Sequence, residues 1–204
     1  MTTVYFQLVG VLSFLVATLV IGARIRRSPT EAAAHRLSRV SHGFYWGALV
    51  VPEVVGLFVP GLSRFDGLLG LTPLPEYVVR AAVGWVLLLV GASYVSASSL
   101  ALKTKGSGYA AFKLTQRVVS ASVYERVRNP MSLGWYLTLV GASLVAGSTY
   151  ALLGTCLVYI PVHAFNLVYF EEVELRARYG ASYEAYLRRV PFLLPRLRLG
   201  PTTD

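Results

Sequence analysis

The sequence predicts an all-α integral membrane protein of about five transmembrane helices, with a C-terminal helical hairpin and a short cytoplasmic helical tail. Low charge, long apolar runs and one-sided placement of basic residues carry that prediction. Of 204 residues, 55% are hydrophobic and 14% charged, and the mean hydropathy is +0.57. Soluble domains usually carry about 25% charged residues; a surface facing hydrocarbon needs no such shield.

The first run, residues 4–22, has no charge and at about 19 residues is long enough to cross ~30 Å of hydrocarbon as a helix. No basic residue precedes it, and Arg24, Arg26 and Arg27 follow it. Secretory signal peptides have the opposite order, so this run is expected to remain as a helix. Further spans are expected within 44–61, 77–102, 133–147 and 150–170. Residues 62–76 contain Gly and Pro and predict an irregular outer connection, because Pro disfavours helix at the residue before it. Residues 103–112 look like an inner loop. Pro130 suits the first turn of a helix and starts the fourth span. Gly147 and Ser148 then predict a tight hairpin into the fifth. Beyond Phe170, Gly180 offers a helix stop, and a short helix is expected over 183–189. Arg188, Arg189, Arg196 and Arg198 are placed to meet anionic headgroups.

Of the 19 Lys and Arg residues, five lie within 24–43, six within 103–128 and six after Phe170; Arg64 and Arg80 are the remainder. Five spans place the first three groups on one face. The positive-inside rule then puts the N-terminus outside and the tail in the cytoplasm of a bacterial or archaeal membrane. The net charge of +9 is therefore topological and excludes a nucleic-acid footprint. With no repeat, low-complexity segment or linker, residues 1–204 form one domain: three spans within 1–102, then an inner loop, hairpin and tail within 103–204. Cys156 is the single cysteine, so no intrachain disulfide forms; it reads as a small packing residue.

No zinc-type Cys/His cluster or Gly-rich phosphate loop occurs, and no metal site is expected. His163 reads as a packed, hydrogen-bonded helix residue. Gly84, Gly91, Gly134 and Gly141 read as close-packing positions between helices. Glu53 falls within the second span, where a carboxylate is costly and faces a partner or a cavity; it is either a protonated or hydrogen-bonded structural residue, or a substrate contact or proton carrier.

The densest polar stretch is "YERVRNPMSLGW", residues 124–135. Arg128 and Asn129 sit at a helix N-terminus, whose free N–H groups and dipole favour an anion. Glu171 and Glu172 end the fifth span on the same face. Together these groups suit a zwitterion carrying both carboxylate and amine. Equally, they suit an interfacial salt bridge from Arg128 to Glu171 or Glu172.

Tyr124, Arg128-Asn129-Pro130-Met131, Gly134, Glu171-Glu172-Val173-Glu174-Leu175, Tyr179-Gly180, Tyr183, Tyr186, Val190-Pro191 and Pro195 resemble the membrane methyltransferase family that includes isoprenylcysteine carboxyl methyltransferases and phospholipid N-methyltransferases. The likeness covers about residues 113–196 and joins two motifs across a hairpin of the right length. It implies S-adenosylmethionine as cofactor, held on the cytoplasmic side by Gln116, Arg117, Val118, Val119, Tyr124, Asn129, Pro130, Met131, Ser132 and Glu171, with Arg128 and Glu172 supporting catalysis. Gln116, Ser122 and Ser132 depart from the family's usual His, Gly and Tyr. Leu167 stands at a substrate position where an Arg would meet a prenylcysteine carboxylate, which turns the expectation away from that acceptor.

The implied reaction is direct methyl transfer to a lipophilic, membrane-resident acceptor. Alternatives are a transporter or assembly protein on the same scaffold, and a methyltransferase for a small thiol or quinone. Membrane lipids are the expected surroundings; the sequence says nothing of oligomeric state.

Overall fold

A computed structural model describes residues 1–56, 59, 61–106 and 116–195. The described residues form helices joined by short connections, with no strand among them. In chain order the helices are α1 (Thr2–Arg27), α2 (Glu31–Phe44), α3 (Val51–Gly56), α4 (Leu62–Leu69), α5 (Val78–Gly106), α6 (Pro130–Ala146), α7 (Thr149–Gly154), α8 (Ile160–Asn166), α9 (Glu172–Tyr179) and α10 (Ala181–Arg189). Wide π-turns splice some of these into longer rods. Tyr45–Val50 joins α2 to α3; Thr155–Tyr159 and Leu167–Glu171 join α7 through α8 to α9. Pro52 and Pro161 lie just beyond two of these turns, where a missing N–H leaves the regular ladder incomplete.

Among the described residues, three rods are long and apolar enough to cross a membrane: Thr2–Arg27, Val78–Gly106 and Thr149–Tyr179. They contain the first, third and fifth expected spans. The fourth is the shorter α6, whose 17 residues rise about 26 Å. The second expected span, 44–61, is met as far as Gly56 by the α2–α3 rod, which begins well before it, at Glu31; residues 57, 58 and 60 lie outside the described residues. Thr30 caps that rod by accepting the N–H of Ala33 at 3.3 Å. Large apolar residues including Val78, Val86 and Leu89 of α5 and Val9 and Leu12 of α1 point outward. Such a belt fits a bilayer, and the chain is an integral membrane protein.

Sequence expectation and structure differ at three places. Residues 62–69, expected to be irregular, form α4, which buries Asp66 so that its carboxylate accepts the N–H groups of Thr149 (2.9 Å) and Tyr150 (2.6 Å). An anion at the start of α7 satisfies amides that no helical carbonyl can reach. Residues 103–106, expected as loop, complete the last turn of α5. Cys156 is exposed rather than packed. The rest of the expected inner loop, 107–112, together with residues 113–115, Arg196 and Arg198, lies outside the described residues.

α5 and α6 pack antiparallel over most of their length. A Cβ placed on Gly91 would stand 2.6 Å from the Gly134 carbonyl, and one on Gly134 would stand 2.7 Å from that of Gly91. Gly84 and Gly141 repeat this reciprocity one heptad away, so these glycines set the interaxial distance. At the far end of α6, Gly147 adopts φ +68°, a left-handed turn that Gly enters without penalty. Ser148 then caps α7 by accepting the N–H of Ala151, and the chain reverses as expected.

Candidate functional site

Pro130 begins α6. Having no N–H itself, it leaves the amides of Met131 and Ser132 to open the helix, and neither has an acceptor among the described residues. The preceding loop is tied to the tail after α10. Arg128 N–H donates to the Pro191 carbonyl (2.8 Å), while the Asn129 amide nitrogens, backbone and side chain, donate to that of Phe192 (3.3 and 3.2 Å). Tyr186 of α10 donates its hydroxyl to the Tyr124 carbonyl (2.8 Å). The two sequence motifs therefore hold each other directly, and α10 closes over the start of α6.

These elements surround a cavity of about 250 Å³, near the lower end of the ~300–1,000 Å³ usual for small-molecule sites. Of the residues expected there, Arg117, Val118, Val119, Tyr124, Arg128, Asn129, Met131, Ser132, Leu167 and Glu171 line it. Gln116 does not; its backbone N–H reaches the Gly106 carbonyl instead (2.9 Å). Pro130 is buried behind the wall. Glu53 lies elsewhere, on a second cavity.

The Arg128 question resolves toward Glu172, whose carboxylate lies 2.9 Å from the guanidinium. Arg176 is 3.9 Å from the same carboxylate. Glu171 is left out of this pairing: among the described residues no hydrogen bond or ion pair engages it, and it faces the cavity. Glu174 pairs with Arg178 at 2.8 Å, both side chains nearly inaccessible, and both also reach the cavity wall. One carboxylate without a direct ion pair among the described residues thus stands beside two that have one.

Aromatic groups shape the remainder. Tyr45, Trp46, Trp135 and Phe170 line the space. Tyr136 bonds His163 Nδ1 at 2.9 Å, and His163, expected as a packed hydrogen-bonded residue, fits that description while its ring also contributes to the wall. Burial, with the neighbouring Glu171 charge second, pushes the phenols of Tyr124 and Tyr183 well above their ordinary range. Burial does the same to Tyr186 against the opposing pull of Arg128. These tyrosines are neutral hydroxyls at physiological pH and do not serve as bases.

The α2 side of the wall was absent from the sequence reading. Ser38, Ser41, His42 and Tyr45 line the cavity, and their spacing of three and four places them along one helical face. A polar stripe just before an apolar run was the available signal. Ser122, where the resembling pattern carries Gly, adopts φ +60°, a left-handed conformation costing an L-residue about 1–2 kcal/mol. Ser122→Gly should therefore raise stability by roughly 1 kcal/mol, seen as a higher thermal midpoint in detergent.

Fold and site together define a helical membrane protein with a partly open chamber, lined by charged, polar and aromatic residues, at one end of its bundle. The phospholipid methyltransferase family matches residues 79–182, half of the chain from the start of α5 into α10, and the chain belongs to that family: it is a membrane methyltransferase. No curated protein and no solved structure matches it.

Proposed function

We propose that the chamber binds S-adenosylmethionine and that the protein transfers its methyl group to a lipophilic acceptor drawn from the bilayer. The observation carrying this reading is Glu171, a carboxylate on the wall of a cavity that also holds the amides of Met131 and Ser132, none of the three having a hydrogen-bond or ion-pair partner among the described residues. Such a chamber is complementary to a zwitterion: amides and the helix dipole for the α-carboxylate, and Glu171 for the ammonium or the sulfonium. The aromatic walls suit both a sulfonium and an adenine ring. The donor set fits the cofactor.

When bound, S-adenosylmethionine supplies an activated methyl group, which an acceptor lone pair takes as the carbon–sulfur bond breaks and its electrons stay on sulfur. The chain's own contribution is positioning and exclusion of water. Tyr124, Tyr183 and Tyr186 close the chamber as neutral donors. Arg128 and Glu172 act through their mutual pair: they hold the 126–129 loop against the end of the α7–α9 rod, and so set the start of α6 relative to Glu171. Leu167 offers an apolar contact on the acceptor side. A carboxylate or thiolate acceptor needs no base; an ammonium acceptor must first lose its proton.

The chamber is read as facing the cytoplasm, with the N-terminus outside, because the basic loops flank it. Calorimetry on purified protein should show S-adenosylmethionine binding, and labelled methyl should appear in a lipid extract. Absence of heat at high cofactor concentration would overturn the proposal and favour a non-enzymatic role. Label in a small thiol or quinone, and not in lipid, would replace the acceptor class alone.

A further inference from the structure

A second cavity of about 150 Å³ runs along α6 beyond the chamber. Trp135, Thr138, Leu139, Ala142 and Ser143 line it, one helical face extending about 12 Å from first to last. Trp135 lines both cavities. Tyr45 of the chamber and Tyr159 of the second cavity meet hydroxyl to hydroxyl at 3.4 Å, so the two spaces are adjacent.

The walls are mostly apolar, and their hydroxyls are largely spent on the helix: Thr138 donates to the Gly134 carbonyl and Ser143 to that of Leu139. A polar chain closes the cavity. Tyr150 donates to Gln7 Oε1 at 2.7 Å, and Gln7 Nε2 donates to Glu53 Oε2 at 3.1 Å. Both functions of the Gln7 amide are thereby occupied. The other Glu53 oxygen has no partner among the described residues, and no cation pairs with the carboxylate. The free carboxyl oxygen can accept a hydrogen bond, and leaving it unsatisfied at membrane depth is costly.

We propose that this cavity receives the distal end of the methyl acceptor, and that this end is an apolar group carrying an amine that donates to Glu53. An apolar cavity of ~150 Å³ accommodates a benzene-sized group, so the end has roughly six carbon atoms. The acceptor's reactive atom then lies past Trp135, in the chamber. Its role as an acceptor site rests on the methyltransferase reading above; its preference for an amine does not.

The test uses 4-fluorobenzylamine, 4-fluorotoluene and 4-fluorobenzoate as probes, followed by fluorine NMR line broadening on the full chain in detergent. The amine should bind at least tenfold more tightly than the toluene, and the benzoate should not bind. Glu53→Gln should erase the amine's advantage. Gly154 lines the cavity, and a Cβ there meets nothing within 4 Å, so Gly154→Leu should fill the space and remove binding of both probes. Both variants should retain S-adenosylmethionine binding by calorimetry, which verifies folding. With labelled methyl donor and a membrane extract as acceptor source, 4-fluorobenzylamine should depress incorporation severalfold in the wild type. Equal binding of amine and toluene, amine binding indifferent to Glu53→Gln, or methyl incorporation indifferent to the amine would each overturn the proposal. Amine selectivity in a wild type that binds no cofactor would strike the methyltransferase reading and leave the amine preference standing.

Discussion

Glu171→Ala should lower S-adenosylmethionine affinity by about ten- to 150-fold, since a hydrogen bond to a charged group contributes roughly 1.5–3 kcal/mol. Calorimetry on the wild type and the variant measures it directly. Arg128 is satisfied by Glu172, and Arg178 by Glu174; Glu171 has neither an ion pair nor a hydrogen bond among the described residues. Removing it should leave the ligand-free protein as stable as before or more so, by about 1 kcal/mol, because an unsatisfied buried group is lost. Glu172→Ala should behave in the opposite sense. It strands the Arg128 guanidinium, whose Nε already lacks a partner; the pair is partly buried, with 16% and 12% of the two side chains exposed, so its loss should cost about 1–3 kcal/mol. Affinity loss without stability loss at 171, and stability loss at 172, would separate ligand recognition from scaffolding. If Glu171→Ala left affinity unchanged, the zwitterion assignment would fail.

That division between adjacent glutamates also shows where sequence reasoning stops. The helical class, the start of α6 at Pro130 and the hairpin at Gly147 were legible, because hydropathy, Pro at a first turn and Gly at a left-handed turn are local signals. Which glutamate would meet Arg128 was not. Glu171 and Glu172 differ by one position on a rod that passes through a π-turn at Leu167–Glu171, and a wide turn shifts the angular register that a 3.6-residue period assumes. The same holds for Tyr45 and Trp46, which open the π-turn at Tyr45–Val50 and face the chamber from α2. Asp66 was hidden for another reason. Its partners, the amides of Thr149 and Tyr150, are more than 80 residues away, and residues 62–76 carry enough Gly and Pro to mask one short helix.

The largest structural effect is expected at the α5–α6 seam. In isolation Gly→Ala favours a helix by about 1 kcal/mol, so a neutral position should gain stability. Gly91→Ala and Gly134→Ala should do the reverse. Each new methyl meets the opposing backbone carbonyl at 2.6–2.7 Å, and a carbonyl held in a helix cannot rotate aside as a flexible side chain would. The helices must separate, losing packing along the Gly84–Gly141 contact as well. Overpacking usually costs about 1–3 kcal/mol, and relief here requires moving a whole helix, which places the expected loss at the upper end after the propensity gain is offset. Thermal unfolding in detergent should show midpoints several degrees lower for both variants and aggregation on size exclusion. Gly154→Ala is the internal control: the same substitution in a helix where the methyl meets open space should hold or raise the midpoint. Since Gly134 lies one turn from Met131 and Ser132, Gly134→Ala should also weaken cofactor binding, whereas Gly91→Ala, on the facing helix, should weaken it only to the extent that α6 moves. Unchanged midpoints for both would mean that the seam tolerates a wider spacing and that the glycines do not set it.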